Sequence, residues 1–251
     1  MERRHTFLAK SEWINDPWKG HEKTQLDKFL DIMVSLPSAM ADGTAMLAPL
    51  FAAPSSDPIA LLHGVMALLD RGWKLDSKLQ DFYKELESAT QGPVYTPQLA
   101  KPNRISDLDS AEGQVFTTAF YFANLQTAHL VMMYWAASAI LWSGFSVTYA
   151  ILSNYKLDTF LPPLGHRADR ANLAKNICQT VEYCMQDEHE APGKTSAVFP
   201  LKVAIETLNE IPGCERELAW AVDAMNKISS DGIRLMKFTG DPLTDHAYLA
   251  G

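Results

Sequence analysis

Apolar positions recur at helical spacing along almost the whole chain. Leu26, Phe29, Leu30 and Met33 fall on one face behind Thr24, a residue type suited to cap a helix, and the pattern stops before Pro37. A short helix is expected over residues 39–51, bent or broken at Pro49. Asp57-Pro58 supplies an N-cap followed by proline at the first helical position. From there Leu61, Leu62, Val65, Met66, Leu68 and Leu69 lead on to Trp73, Leu75, Leu79, Phe82, Tyr83 and Leu86. The opposite face carries Lys74, Lys78, Asp81, Lys84, Glu85 and Glu87, which reads as a solvated helix surface rather than a binding patch. Gly72 is expected to mark a kink. Strand signals are scarce, since no two β-branched alternating runs are joined by Asn-Gly or Asp-Gly. Pro93, Pro97 and Pro102 mark residues 92–103 as a loop.

Farther along, Pro162, Pro163 and Gly165 turn the chain. Helices are expected near residues 168–187, 196–209 and 214–237, with Pro192-Gly193 and Pro212-Gly213 between them. No internal repeat of fixed period is visible. The sum is an all-α fold: a single helical domain over residues 1–251, with about eight to ten helices around an uncharged central helix pair.

Charge sharpens that picture. The chain has 251 residues, and 22 Lys and Arg against 30 Asp and Glu give a net charge of −8. An acidic chain without basic clusters is a poor binder of nucleic acid, so no direct DNA contact is expected. None of that charge lies in the 43 residues from Gly113 to Tyr155, which hold ten of the 25 aromatic residues. Within them, Leu130 to Leu152 is long enough to cross a bilayer. Ser138, Ser143, Ser146, Thr148 and Tyr149 dilute its hydrophobicity, and no Lys or Arg cluster flanks it. A buried central element, and no membrane contact, is the expectation. The N-terminus begins with basic residues but has no apolar run of signal-peptide length, which points to the cytoplasm or nucleus. Cys178, Cys184 and Cys214 form no CxxC pair and read as small buried apolar residues of a reducing compartment.

Familiar catalytic motifs are missing. Gly193-Lys194-Thr195 lacks the earlier glycine of a phosphate loop, since Glu188 occupies that position, and reads as a turn and N-cap. There is no GxGxxG, GxSxG or HExxH. A helical terpene-cyclase reading needs an aspartate-rich magnesium cluster. Asp107 and Asp109 are too few, and Ile233 stands where the second motif needs an acid. Asp187-Glu188-His189-Glu190 gathers metal-ligand types, but consecutive residues on a helix point about 100° apart, so a frayed helix end is expected and no metal or cofactor.

Three segments resemble the C-terminal regulatory region of fungal zinc-cluster (Zn2Cys6) transcription factors. The first runs from Glu12-Trp13 through Pro17-Trp18 to Gly20 and on through Leu26-Asp27 to Asp31 and Met33. The second is His129-Leu130-Val131-Met132-Met133-Tyr134-Trp135-Ala136-Ala137. The third, and most specific, is Asn176-Ile177-Cys178-Gln179-Thr180-Val181-Glu182-Tyr183-Cys184, continuing to Glu188 and then to Phe199-Pro200-Leu201 and Ala204-Ile205. The resemblance implies a helical domain that senses small molecules or holds a factor inactive. The six cysteines that hold two zinc ions in such factors have no counterpart among the three here. The chain is then either a fragment or a free-standing relative without the DNA-binding module.

Three readings follow. The first is a module that binds a small apolar metabolite in a pocket walled by Tyr121, Met132, Met133, Trp135 and Tyr183, with Asn124 as a polar donor. The second is a cofactor-free enzyme of fungal secondary metabolism that cyclises, isomerises or dehydrates a polyketide or terpenoid by positioning and water exclusion. Its acid–base residues would be His129, on the helix face of Tyr121, and Asp187, paired at i,i+4 with Tyr183. The third is an interaction module that forms homo-oligomers or pairs with related helical domains, through the Trp13–Trp18 stem and the loop near Pro93. A cavity of several hundred Å3 at His129 favours the first two, and a packed centre favours the third.

Overall fold

A computed structural model describes residues 7–52, 58–102, 105–106, 108, 113–154 and 161–230. Asp57, Asp107, Asp109 and the expected helix end at Lys237 lie outside the described residues. The stem is a short helix, α1 (Ser11–Asn15), between 3-10 turns at Phe7–Ala9 and Asp16–Trp18. Helix α2 (Gln25–Met33) starts at a capping box: the Thr24 side chain accepts from the Asp27 N–H, and the Asp27 carboxylate accepts from the Thr24 N–H at 2.9 Å. Phe29 and Met33 are buried, whereas Leu30 is 44% exposed and leaves the apolar face expected for it. Helix α3 (Leu36–Ala52) starts earlier than expected and continues through Pro49. Pro37 fits its first turn, where no intrahelical N–H is needed.

Helix α4 (Pro58–Ala89) and helix α5 (Leu125–Asn154) are the long members of the frame. A Cβ added to Gly72 of α4 would lie 2.5 Å from the Phe145 ring of α5. Gly72 therefore serves a close crossing of the two helices, a role distinct from the expected kink. The uncharged stretch forms one helix, α5, preceded by a strand, instead of a helix pair. That strand, β2 (Thr118–Phe122), pairs antiparallel with β1 (Tyr95–Leu99), in a register from Tyr95 opposite Phe122 to Leu99 opposite Thr118. Thr118–Phe122 is rich in β-formers, but Pro97 interrupts the signal in β1 and a long connection replaces the tight turn that would have marked a hairpin. Part of the expected loop at 92–103 is thus strand. The two-stranded sheet is small, and the fold is all-α in class.

Helices α6 (Arg170–Cys184), α7 (Glu190–Asn209) and α8 (Glu215–Ser230) pack in sequence on one another, with α6 and α7 against α5. Pro192-Gly193 belongs to the first turn of α7, where the expectation placed a connection and a turn-plus-cap. A Cβ on Gly193 would meet the Cys184 carbonyl at 2.1 Å, so glycine lets α7 start against the end of α6. The apolar core joins Phe29, Leu79, Met132, Ile177, Leu201 and Ile228 across six helices and continues to the hairpin through Phe120 and Phe122. Among the described residues one helix, Leu125–Ser153 in extent, is long and apolar enough to cross a membrane, and 67% of its apolar window is buried inside the protein. Its apolar surface faces neighbours on several sides, which is what a central helix requires.

Candidate functional site

The centre of the molecule is α5 and what covers each of its ends. At the N-terminal end, Asn124 is exposed and caps α5: its Oδ1 accepts from the Thr127 N–H at 2.9 Å. Tyr121 stands on β2, before the helix begins, so the expected helix face shared with His129 does not exist. Its hydroxyl donates to Glu182 Oε1 at 2.7 Å, and the Lys101 N–H donates to Glu182 Oε2 at 2.9 Å. The Glu182 side chain sits on α6 with the residue only 4% exposed, so these neutral donors replace most of its water.

The other expected site residues fall into separate contacts. The Tyr121 and Tyr183 rings meet edge to face at 5.7 Å, and Tyr183 lies 4.6 Å from His189, centroid to centroid. Met132 is fully buried with its sulfur 3.6 Å from the Cys184 thiol. Trp135 packs edge-on to Tyr95 of the hairpin at 5.7 Å, and Met133 is half-buried at the margin of the core. Asp187 does not join them. Helix α6 ends at Cys184, Gln186 is extended, and Asp187 begins an exposed 3-10 turn, so its i,i+4 pairing with Tyr183 is not formed. Among the described residues no group of three His, Cys, Asp or Glu could hold a metal ion.

His129 is half-buried on α5 against α7. Burial lowers its pKa below the ordinary imidazole value, and a backbone hydrogen bond with Ser196 acts in the opposite direction. Its Nδ1 is buried without a hydrogen-bond partner. The cavity found beside Glu182 measures about 10 Å3, the room of one water, and is lined by residues including Phe116, Cys178, Gln179 and Trp220 but not His129. Burial pushes the Cys184 thiol up to about 12 and Cys178 higher still, and raises the Tyr83 and Tyr134 hydroxyls. Each shift favours the protonated, weakly nucleophilic form.

At the other end of α5 stands an arrangement that sequence reasoning missed. Asp76 of α4 is fully buried, and its Oδ1 accepts from Trp142 Nε1 of α5 at 2.7 Å. Its Oδ2 accepts from Arg167 Nε at 2.8 Å and Nη2 at 2.6 Å. The Arg167 guanidinium lies 4.8 Å over the Trp73 ring, which stacks on Phe145 at 4.7 Å. A signal was present: Asp76 stands at helical spacing between Leu69, Gly72 and Leu79, on the face that the pattern assigns to the core. A carboxylate there needs a buried partner. Arg167 carried no signal, because it comes from a 3-10 turn (Gly165–Ala168) distant in sequence.

The stem differs from both ends. Phe7 is 57% exposed and Trp13 52% exposed, and their rings meet edge to face at 5.3 Å. Lys23 ties the stem to α2 by donating to the Ile14 carbonyl at 2.7 Å and pairing with Asp31. Comparison of the chain with protein-family models, with curated proteins and with solved structures finds no match.

Proposed function

We propose that the chain is a non-catalytic helical regulatory module of the kind found in fungal zinc-cluster factors, which works by pairing with another helical domain of that kind. The observation that carries the reading is the exposed Phe7–Trp13 pair, held on a stem anchored to α2. Aromatic side chains are enriched at the centres of protein interfaces, where each buries much area with little loss of rotamer freedom. The raised thiols and hydroxyls are weak nucleophiles, and a cavity of water size suits an interaction module better than a metabolite pocket. The resemblance of the Glu12–Met33, His129–Ala137 and Asn176–Glu188 segments to such factors supports the same class.

A second copy of the chain is the partner used in the test. Sedimentation of the full chain should reveal self-association at or below about 100 µM, a weak-interaction concentration. Trp13→Ala should abolish it while leaving helical content unchanged. A wild-type chain that stays monomeric throughout, or a Trp13→Ala chain that associates as strongly, would overturn the proposal.

The unpartnered Nδ1 of His129 favours a second reading, an apolar metabolite with one polar group seated against α5 and α7. Such a ligand needs several hundred Å3, so the two helices would have to part. Native mass spectrometry with an apolar polyketide-type panel should give an adduct that His129→Phe removes, and the lack of any adduct would reject this reading.

A further inference from the structure

We infer that Asp76, Trp73 and Trp142 form a guanidinium-binding cage, that the chain's own Arg167 plugs it, and that an arginine of a protein partner enters when the plug leaves. The cage belongs to rigid elements, since Trp73 and Asp76 lie on the 32-residue α4 and Trp142 on the 30-residue α5. The Trp142 indole fixes one carboxylate oxygen of Asp76, leaving the other to receive a cation. Trp73, backed by Phe145, offers its face to the same cation. A buried carboxylate beside an indole face is the chemistry that recognises a planar, weakly hydrated guanidinium.

The plug is built differently from the cage. Arg167 belongs to a 3-10 turn of four residues whose members other than Arg167 are exposed. Besides Arg167 itself, the half-buried Leu161 and Leu164 and the helix cap Asp169 hold its flanks. The Tyr149 hydroxyl donates to the Pro162 carbonyl at 2.7 Å, and the His166 ring rests edge-on to Trp142 at 5.4 Å. Arg170, the next cation along the chain, is engaged by Ser143 at 2.6 Å and Glu210 at 2.8 Å and does not compete for Asp76. A receptor on packed helices whose ligand arrives on a short exposed turn has the form of an autoinhibitory contact. An intramolecular arginine has a high effective concentration, so a partner must add contacts around its own arginine to displace it.

The test uses the full chain with Arg167→Ala and two probes of one shape, n-propylguanidinium and the uncharged n-propylurea. At millimolar concentration n-propylguanidinium should raise the Tm of the variant by about 2–4 °C and shift its tryptophan emission saturably. The urea should do neither, and the double variant Asp76→Asn/Arg167→Ala should respond to neither probe. An equal response to both probes, a response of the double variant, or no response at all would overturn the cage. If Arg167→Ala does not fold, Arg167→Gln takes its place in the same series. For plug release, hydrogen exchange over residues 161–169 of the wild type should accelerate at least about threefold with hexa-arginine over hexa-lysine. Equal exchange with the two peptides would overturn entry by a partner arginine.

Discussion

The two ends of α5 each bury a carboxylate, and they do it by different means. Asp76, at the C-terminal half, receives a guanidinium and an indole N–H. Glu182, beside the N-terminal end, receives a phenol and a backbone N–H, both neutral. A buried charge whose partner is a cation is costly to disturb on one side alone, because the remaining charge is stranded in a medium of low polarity. A carboxylate held by neutral donors loses one hydrogen bond at a time. The same central helix thus carries one brittle junction and one graded junction. The brittle one lies under a short turn, and the graded one under a hairpin.

The largest effect should break that contrast at its strong side. Arg167→Met should lower unfolding stability by about 3 kcal/mol in urea titration, the low end for a broken buried pair because Arg167 keeps some solvent contact. Adding Asp76→Asn should restore part of the loss; a double variant as unstable as the single one would show that Asp76 is not stranded by removal of Arg167. Next come the two close-packed glycines. Gly193→Ala should cost about 3 kcal/mol because its Cβ meets backbone, and Gly72→Ala about 1–2 kcal/mol because an aromatic ring can shift. Reversal of that order would show that the α6–α7 junction yields more readily than the α4–α5 crossing.

At the graded junction, Tyr121→Phe should cost only about 1–2 kcal/mol, since Glu182 keeps its bond from Lys101. A loss equal to that of Arg167→Met would erase the distinction between the two ends. The smallest effect concerns pH. The folded pKa of His129 lies below its unfolded value, so the unfolded chain takes up the proton first. Its contribution is fully present above about 6.5 and is lost as pH falls from there through the lower folded value. His129→Gln should therefore flatten the stability change between pH 7 and pH 5, and an unchanged slope would remove His129 from that pH dependence.

Much of the frame was legible in the chain. The helical period with its stop signals located α2, α4, α6 and α8, and the Thr24–Asp27 box lies where the capping residue predicted a start. The hairpin was not legible, because its strands are separated by a long connection and its pairing is a long-range event. Of the candidate site, Tyr121 and Tyr183 meet beside Glu182, Met132 and Trp135 are buried against Cys184 and Tyr95, and Asn124 and Asp187 face solvent. Asp187 was misplaced because an i,i+4 argument assumes that the helix continues, and α6 ends three residues too soon. Asp76 was open to notice as an acid on an apolar face. Its partner Arg167 was not, because local spacing says nothing about a residue brought in from a distant turn.

What the sequence determined by itself is the helical class and the identity of the central element. A long uncharged stretch rich in aromatic residues favours a central place, and periodicity of apolar residues needs no tertiary information. What only the tertiary structure decided is how that element is covered: a hairpin at one end, an arginine-bearing turn at the other, and a water-sized cavity beside Glu182. Those outcomes depend on side-chain volumes meeting across elements and on donors reaching acceptors far apart in the chain, which periodicity cannot encode.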